Sequence, residues 1–215
     1  MISWTGLRYR YAQGTALAFE DLHLPSGQHL LLRGASGSGK STLLALMAGL
    51  LRPGAGQIYM VGTALHTLGP RAADAWRGAS LGFVPQRLHL SAALSVADNL
   101  ALPLIAAGLA PEPARAALLL DRLGLADMAR RLPHQLSVGQ AQRVALARAL
   151  MRAPKLLLAD EPSASLDGAS TAQLLALLLE TAAEQGACLV VATHDARVVD
   201  AVRGLGRQMI ERVLP

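Results

Sequence analysis

Short unbroken apolar runs, each bounded by turn residues or acids, recur along this chain. Leu30-Leu31-Leu32 follows the turn Pro25-Ser26-Gly27. Leu156-Leu157-Leu158-Ala159 ends in Asp160-Glu161, and Cys188 to Ala192 ends in Thr193-His194-Asp195. Runs of this length read as buried strands, and in open parallel sheets ligands bind at the carboxyl edge of such strands. Leu7-Arg8-Tyr9-Arg10-Tyr11 alternates, residues 16–24 are mixed, and 57–61 and 80–84 read as short strands. Residues 74–77 read as a polar helical segment. From 95 to 150 the pattern turns helical, with helices expected over 96–102, 112–123 and 140–151. The tail, 203–215, reads as one or two short strands without chemistry. The change from strand-rich to helical and back predicts an α/β core, residues 1–86 and 153–215, with an inserted helical subdomain over 87–152.

Between the strand at Leu30-Leu31-Leu32 and the apolar run 43–48, which has helical composition, lie Gly34, Ala35, Ser36, Gly37, Ser38, Gly39, Lys40, Ser41 and Thr42. They fit G-x-x-x-x-G-K-[ST] in the strand–loop–helix context that the motif needs. Glycines let backbone N–H groups turn inward around a chain of phosphates, and the helix start adds its positive dipole end. Lys40 supplies a mobile charge for the outer phosphates, and the Ser41 hydroxyl suits Mg²⁺. The rival reading is a Gly/Ser-rich turn that happens to contain a lysine.

Asp160 and Glu161 sit where a buried strand reaches its carboxyl edge. Asp160 is expected to hold Mg²⁺ opposite Ser41, and Glu161, pointing differently, to polarise an attacking water. A capping pair at a strand–helix junction is the plainer alternative. His194 leaves a second strand at the same edge, where a histidine can reach a terminal phosphate. Tyr11, before a flexible Ala-Gln-Gly segment, is placed to stack on adenine; Tyr9 and Trp4 are rivals, and a half-exposed strand tyrosine is the alternative.

Composition narrows the class. Hydrophobic residues make up 52% and charged residues 16% of the 215, which argues against disorder. The longest apolar stretch, 100–110, is interrupted by Pro103 and Gly108 and is too short to span a bilayer; no secretory signal is expected. Cys188, the single cysteine, excludes an internal disulfide and reads as a strand residue. The net charge of +5 is carried almost wholly by scattered arginines, since Lys40 and Lys155 are the only lysines. With aromatics at 3% there is no stacking platform for single-stranded nucleic acid, so no direct nucleic-acid contact is expected. A solvated basic surface, near anionic lipid, is the expectation.

At Leu136-Ser137-Val138-Gly139-Gln140, followed by a helical run to Leu150, the chain resembles the LSGGQ signature of ATP-binding cassette (ABC) ATPases. Other motifs of that family follow in order. Gly34 to Thr42 matches the phosphate loop, Gln86 the Q-loop, and Asp160-Glu161 the Walker B element. Ser163-Ala164-Ser165-Leu166-Asp167 matches the D-loop, His194 the H-loop and Tyr11 the aromatic A-loop. The resemblance spans about residues 11–203. It implies a P-loop NTPase (RecA-like) α/β core with an N-terminal antiparallel β subdomain and an inserted helical subdomain.

It also implies ATP hydrolysis with Mg²⁺, held by Ser41, Gln86 and Asp160, and catalysis by Glu161, His194 and Gln86. Ser137, Gly139 and Gln140, at a helix start, are implied to face the ATP of a second copy in a head-to-tail homodimer. An integral membrane permease subunit, docked on the helical subdomain, and a peripheral place on the cytoplasmic face of the inner membrane complete the expectation. Residues 81–86 through 99–104 look most like the bacterial group serving lipoprotein release, macrolide export and cell division. Alternatives are a membrane-bound mechanotransmitter like the cell-division system, and a soluble ABC ATPase acting on DNA or ribosomes. Val138 departs from the usual glycine, which is expected to restrict the backbone there, and Pro85 stiffens the approach to Gln86.

Overall fold

The computed structural model describes residues 1–164, 166–205 and 209–215. The strands are β1 (Ile2–Arg10), β2 (Ala16–Ala18), β3 (Leu22–Leu24), β4 (His29–Arg33), β5 (Ala55–Met60), β6 (Thr63–Ala64), β7 (Leu81–Val84), β8 (Leu156–Asp160), β9 (Cys188–Thr193) and β10 (Met209–Val213). The helices are α1 (Lys40–Met47), α2 (Pro70–Ser80), α3 (Val96–Ala106), α4 (Pro113–Arg122), α5 (Val138–Leu150), α6 (Gly168–Glu184) and α7 (Ala196–Gly204).

The apolar runs do form one parallel sheet, in the order β10-β4-β9-β8-β7. Side chains alternate across it. Leu31, Leu157, Ala159, Leu189 and Val191 face a core shared with α3, α5, α6 and α7. Leu30, Leu32, Leu156, Leu158, Val190 and Ala192 face α1 and a second, antiparallel sheet. Burial on both faces is why these strands lack alternation in sequence. Because every strand runs the same way, the residues after β4, β7, β8 and β9 all emerge at one edge.

The antiparallel sheet is ordered β2-β1-β5-β6, with β3 on β1. β1 begins at Ile2, well before the alternating Leu7–Tyr11 stretch, and is interrupted between Thr5 and Arg8 by a register shift against β5. Gly56 makes this possible: its φ is +84°, and a Cβ there would lie 2.3 Å from the Gly6 carbonyl oxygen. Gly56→Ala is expected to lower stability by about 2–5 kcal/mol from left-handed strain plus backbone overlap. In a chain of this size that is a fall in thermal midpoint of roughly 4–20 °C, read by calorimetry; an unchanged midpoint would show that the bulge relaxes freely.

Several boundaries differ from the sequence pattern for identifiable reasons. α2 starts at Pro70, whose fixed φ suits a first helical position, so the polar stretch 74–77 is only its middle and Ser80 closes the helix rather than opening β7. α3 continues through Pro103 to Ala106. α5 starts at Val138, with Ser137 as its N-cap in a capping box with Gln140. Val138 is thus an ordinary first-turn helical residue, 52% exposed, and strains nothing. α6 has no counterpart in the strand-by-strand reading, although Leu174, Leu175, Leu178, Leu179 and Ala182 mark a buried helical face. The tail contributes a single strand, β10, which joins the parallel sheet beside β4. No helix among the described residues is long and apolar enough to cross a membrane.

Candidate nucleotide site

Gly39 caps α1 with φ +92°, a left-handed conformation that glycine adopts freely, and so aims the first backbone N–H groups of α1 into the loop before it. Lys40, the first residue of α1, is buried; its ammonium donates to the carbonyls of Gly34 (2.8 Å) and Ala35 (2.9 Å). The loop is therefore closed around its own lysine. Ser36, Gly37, Gly39, Lys40, Ser41 and Thr42 line a cavity of about 420 Å³, together with Tyr11, Gln86, Glu161 and His194. Ser38 is not among the lining residues, and its hydroxyl is buried without a hydrogen-bond partner among the described residues.

Tyr11 follows β1 rather than belonging to it, and its hydroxyl is 3.0 Å from that of Thr42. Its ring, half-exposed, packs edge-on against Tyr9. Of the aromatic rivals, Trp4 is buried in the core with its indole N–H on the Glu20 carbonyl, so Tyr11 is the ring at the cavity.

The parallel register sets Asp160 beside Ala192 and Val84 beside Ala159, which brings the acidic pair, the histidine and Gln86 to one place. The Ser41 hydroxyl donates to Asp160 Oδ2 at 2.9 Å. Burial pushes the Asp160 carboxyl above its usual range; the Ser41 hydrogen bond offsets this, the Glu161 charge adds to it and Lys40 opposes it. Asp160 Oδ1 is buried and unpartnered among the described residues. A hydroxyl, a carboxylate oxygen and an orphaned oxygen at the mouth of a phosphate loop are hard ligands, the set that suits a small divalent cation sharing its remaining positions with phosphate and water. The donor set fits.

Glu161 is held from several sides. Its Oε1 lies 3.5 Å from the Lys40 ammonium and accepts from His194 Nδ1 at 2.7 Å. Its Oε2 accepts from the Thr193 hydroxyl (2.9 Å) and the His194 backbone N–H (3.2 Å). Its backbone has φ +46°, which a non-glycine residue adopts only under local constraint. The cap at the strand–helix junction is Asp167, which accepts from Ser170 N–H at the start of α6, so Asp160 and Glu161 are not a capping pair.

Ser137, Gly139 and Gln140 stand apart from this cavity, at the exposed start of α5. Within one chain the structure does not bring the two anion-binding helix starts together. Of the D-loop stretch, Ser165 lies outside the described residues; Ser163 donates to Asp195 Oδ2 at 2.9 Å, and Arg197 bridges Asp195 to the Leu166 carbonyl. Hydrogen bonds from Arg197, aided by its backbone N–H and by Ser163, hold the Asp195 carboxyl down at about 2. Sequence reasoning singled out only His194 at this strand end; Thr193 also bonds Glu161, and Asp195 donates its backbone N–H to the Thr193 hydroxyl. It also passed over Arg148, in α5, which donates to the carbonyls of Leu88 (2.6 Å) and His89 (2.8 Å) and so ties the segment after Gln86 to the helix that Ser137 caps. No spacing rule flags such an arginine.

With the geometry in hand, the comparisons with known proteins are specific. The ABC transporter family model matches residues 20–164. The pyoverdine export ATP-binding/permease protein PvdT of Pseudomonas syringae pv. syringae (strain B728a) is 42% identical over 205 residues, covering 92% of this chain and 31% of PvdT. The lipoprotein-releasing system ATP-binding protein LolD of Idiomarina loihiensis is 40% identical over 190 residues, covering 87% of this chain and 83% of LolD. The chain spans about a third of the length of the export ATP-binding/permease relatives it matches. Among solved structures, a dimeric structure of MJ0796, a bacterial ABC transporter cassette, superposes with TM-score 0.83 at 32% identity, covering 94% of this chain and 91% of that one. The same cassette in a post-hydrolysis state bound to ADP and Pi fits equally well.

Proposed function

Because the chain belongs to the ABC transporter family and has the fold of its ATP-binding cassettes, we propose that it binds and hydrolyses ATP to energise a membrane transporter of the lipoprotein-release or macrolide-export type. The observation that carries this reading is the meeting of Lys40, Ser41, Gln86, Asp160, Glu161 and His194, from separate segments, around one cavity at the carboxyl edge of the parallel sheet. Relatives named for export and for lipoprotein release support transport over a soluble DNA- or ribosome-directed role.

Tyr11 stacks on the adenine, and the backbone N–H groups of 34–42 wrap the phosphates. Lys40 neutralises the outer phosphates, and Ser41, Asp160 and Gln86 hold Mg²⁺. Bound there, Mg²⁺ supplies charge neutralisation at the phosphate oxygens. Glu161 orients and deprotonates the attacking water, and His194 donates to the departing phosphate. Ser137, Gly139 and Gln140 complete the site of a second copy, which makes the working unit a head-to-tail homodimer. Residues 87–152 form the inserted subdomain through which the site communicates with a permease at the cytoplasmic face of the membrane.

A groove of about 780 Å³ between α2, β7, α3 and α5 receives that permease. Its wall is apolar at Phe83, Pro103 and Ala106, and its rim is basic at Arg148 and Arg152, with Arg77 paired to Asp74. Tagged protein drawn gently from its native membranes is expected to bring down a multi-span membrane protein. Arg152→Glu, away from the nucleotide cavity, is expected to cut that recovery about tenfold or more while basal ATPase stays within about twofold, because it sets a like charge against the acidic complement of the rim. Recovery with DNA or ribosomes and no membrane protein would overturn the reading.

A further inference from the structure

We propose that Thr193 is a positioning residue for ATP hydrolysis, fixing the carboxylate of Glu161 through its side-chain hydroxyl; this rests on the role of Glu161 as base. Thr193 is the last residue of β9 and is wholly buried. Its hydroxyl accepts from the Asp195 backbone N–H at 3.0 Å, which leaves its own proton directed to Glu161 Oε2 at 2.9 Å. An ionised carboxylate only accepts, so the direction of this relay is set by chemistry. β-Branching restricts χ1, so the hydroxyl sits in one place without loss of rotamer freedom.

The anchor of the relay is firm. Asp195 caps α7 by accepting from Arg197 N–H, is gripped by the Arg197 guanidinium, and accepts from the hydroxyl of Ser163, whose carbonyl in turn accepts from Leu166 N–H. Glu161 needs such an anchor. Its other side-chain partners are Lys40 and His194, and both also face the cavity in which ATP phosphates would sit. A lysine and a histidine that also serve phosphate share their hold on the carboxylate with the ligand. Thr193 does not line the cavity, so its bond persists through the cycle. With Oε2 held by Thr193 and the His194 N–H, Oε1 is the oxygen that faces the cavity and takes the water proton.

The test is steady-state ATPase of purified Thr193→Val, Thr193→Ser and Thr193→Cys beside Glu161→Gln. Valine keeps the shape and removes the hydroxyl. It is expected to lower kcat about 10- to 100-fold, the range for losing a hydrogen bond to a charged group, with KM for ATP within about threefold because Thr193 is not among the residues lining the cavity. Serine restores the hydroxyl and is expected to return kcat to within about threefold of wild type. Cysteine, a weak donor of similar size, falls between them and serves as the second variant should valine fold poorly. A valine or cysteine variant with wild-type kcat overturns the proposal, as does a serine variant no better than valine, which would assign the effect to packing. If Glu161→Gln itself turned over like wild type, the base assignment would fail instead, independently of Thr193.

Discussion

Lys40→Ala is expected to give a folded protein that no longer retains ATP, with affinity lower by about 100-fold or more and kcat lower by about 10²- to 10³-fold. Among the described residues lining the cavity, Lys40 is the one lysine or arginine, so its loss leaves a polyanion facing Glu161 and Asp160 with no permanent protein cation. The fold itself should tolerate the change. Glu161 keeps the Thr193 hydroxyl and two donors from His194, so its charge is not stranded.

Thermal shift separates these effects. At ATP a hundred times above its dissociation constant the wild type gains about 2.7 kcal/mol, or roughly 5–11 °C in a chain of this size. A variant binding about 100-fold more weakly gains only about 0.4 kcal/mol at the same concentration. Lys40→Arg is expected to fail almost as badly, because a planar guanidinium cannot reproduce a compact ammonium that reaches two loop carbonyls and a carboxylate. An undiminished ATP shift in Lys40→Ala would mean that the loop backbone alone binds the phosphates.

Why the loop was so readable from sequence is physical. A phosphate cradle needs glycines, a lysine and a hydroxyl at fixed spacing, and nothing distant can substitute for them. The parallel sheet was legible for a related reason: strands buried on both faces are apolar throughout, so Leu156 to Ala159 and Cys188 to Ala192 announce themselves. What could not be read is what arises only when the strands lie side by side. Thr193 looks like any strand-end threonine until β8 and β9 pair and set its hydroxyl against Glu161. Arg148 is one arginine among many until α5 packs on β7 and its guanidinium meets the carbonyls of Leu88 and His89. The sequence pattern places the start of α5 two residues late, because Val138 has poor helix propensity and the capping box of Ser137 and Gln140 decides the boundary instead.

Glu161→Gln is expected to show the opposite phenotype to Lys40→Ala: ATP binds, hydrolysis falls by about 10²- to 10⁴-fold, and the protein accumulates as a dimer on size exclusion in ATP and Mg²⁺. Binding is expected to survive for a geometric reason. Glutamine is isosteric, and its carbonyl oxygen can still accept from the Thr193 hydroxyl and the His194 backbone N–H. The remaining position then carries an NH₂ where Oε1 faced His194 Nδ1 and Lys40. It can no longer take a proton from water, and it requires His194 to present an acceptor rather than a donor at Nδ1. The loop carbonyl bonds of Lys40 and the Ser41–Asp160 contact lie outside this change, so the phosphate grip persists. On the proposed reading hydrolysis opens the dimer, so blocking it is expected to trap the closed form. Wild-type turnover would remove Glu161 from the mechanism. Loss of turnover without dimer accumulation would instead show that Ser137, Gly139 and Gln140 do not reach the ATP of a second copy.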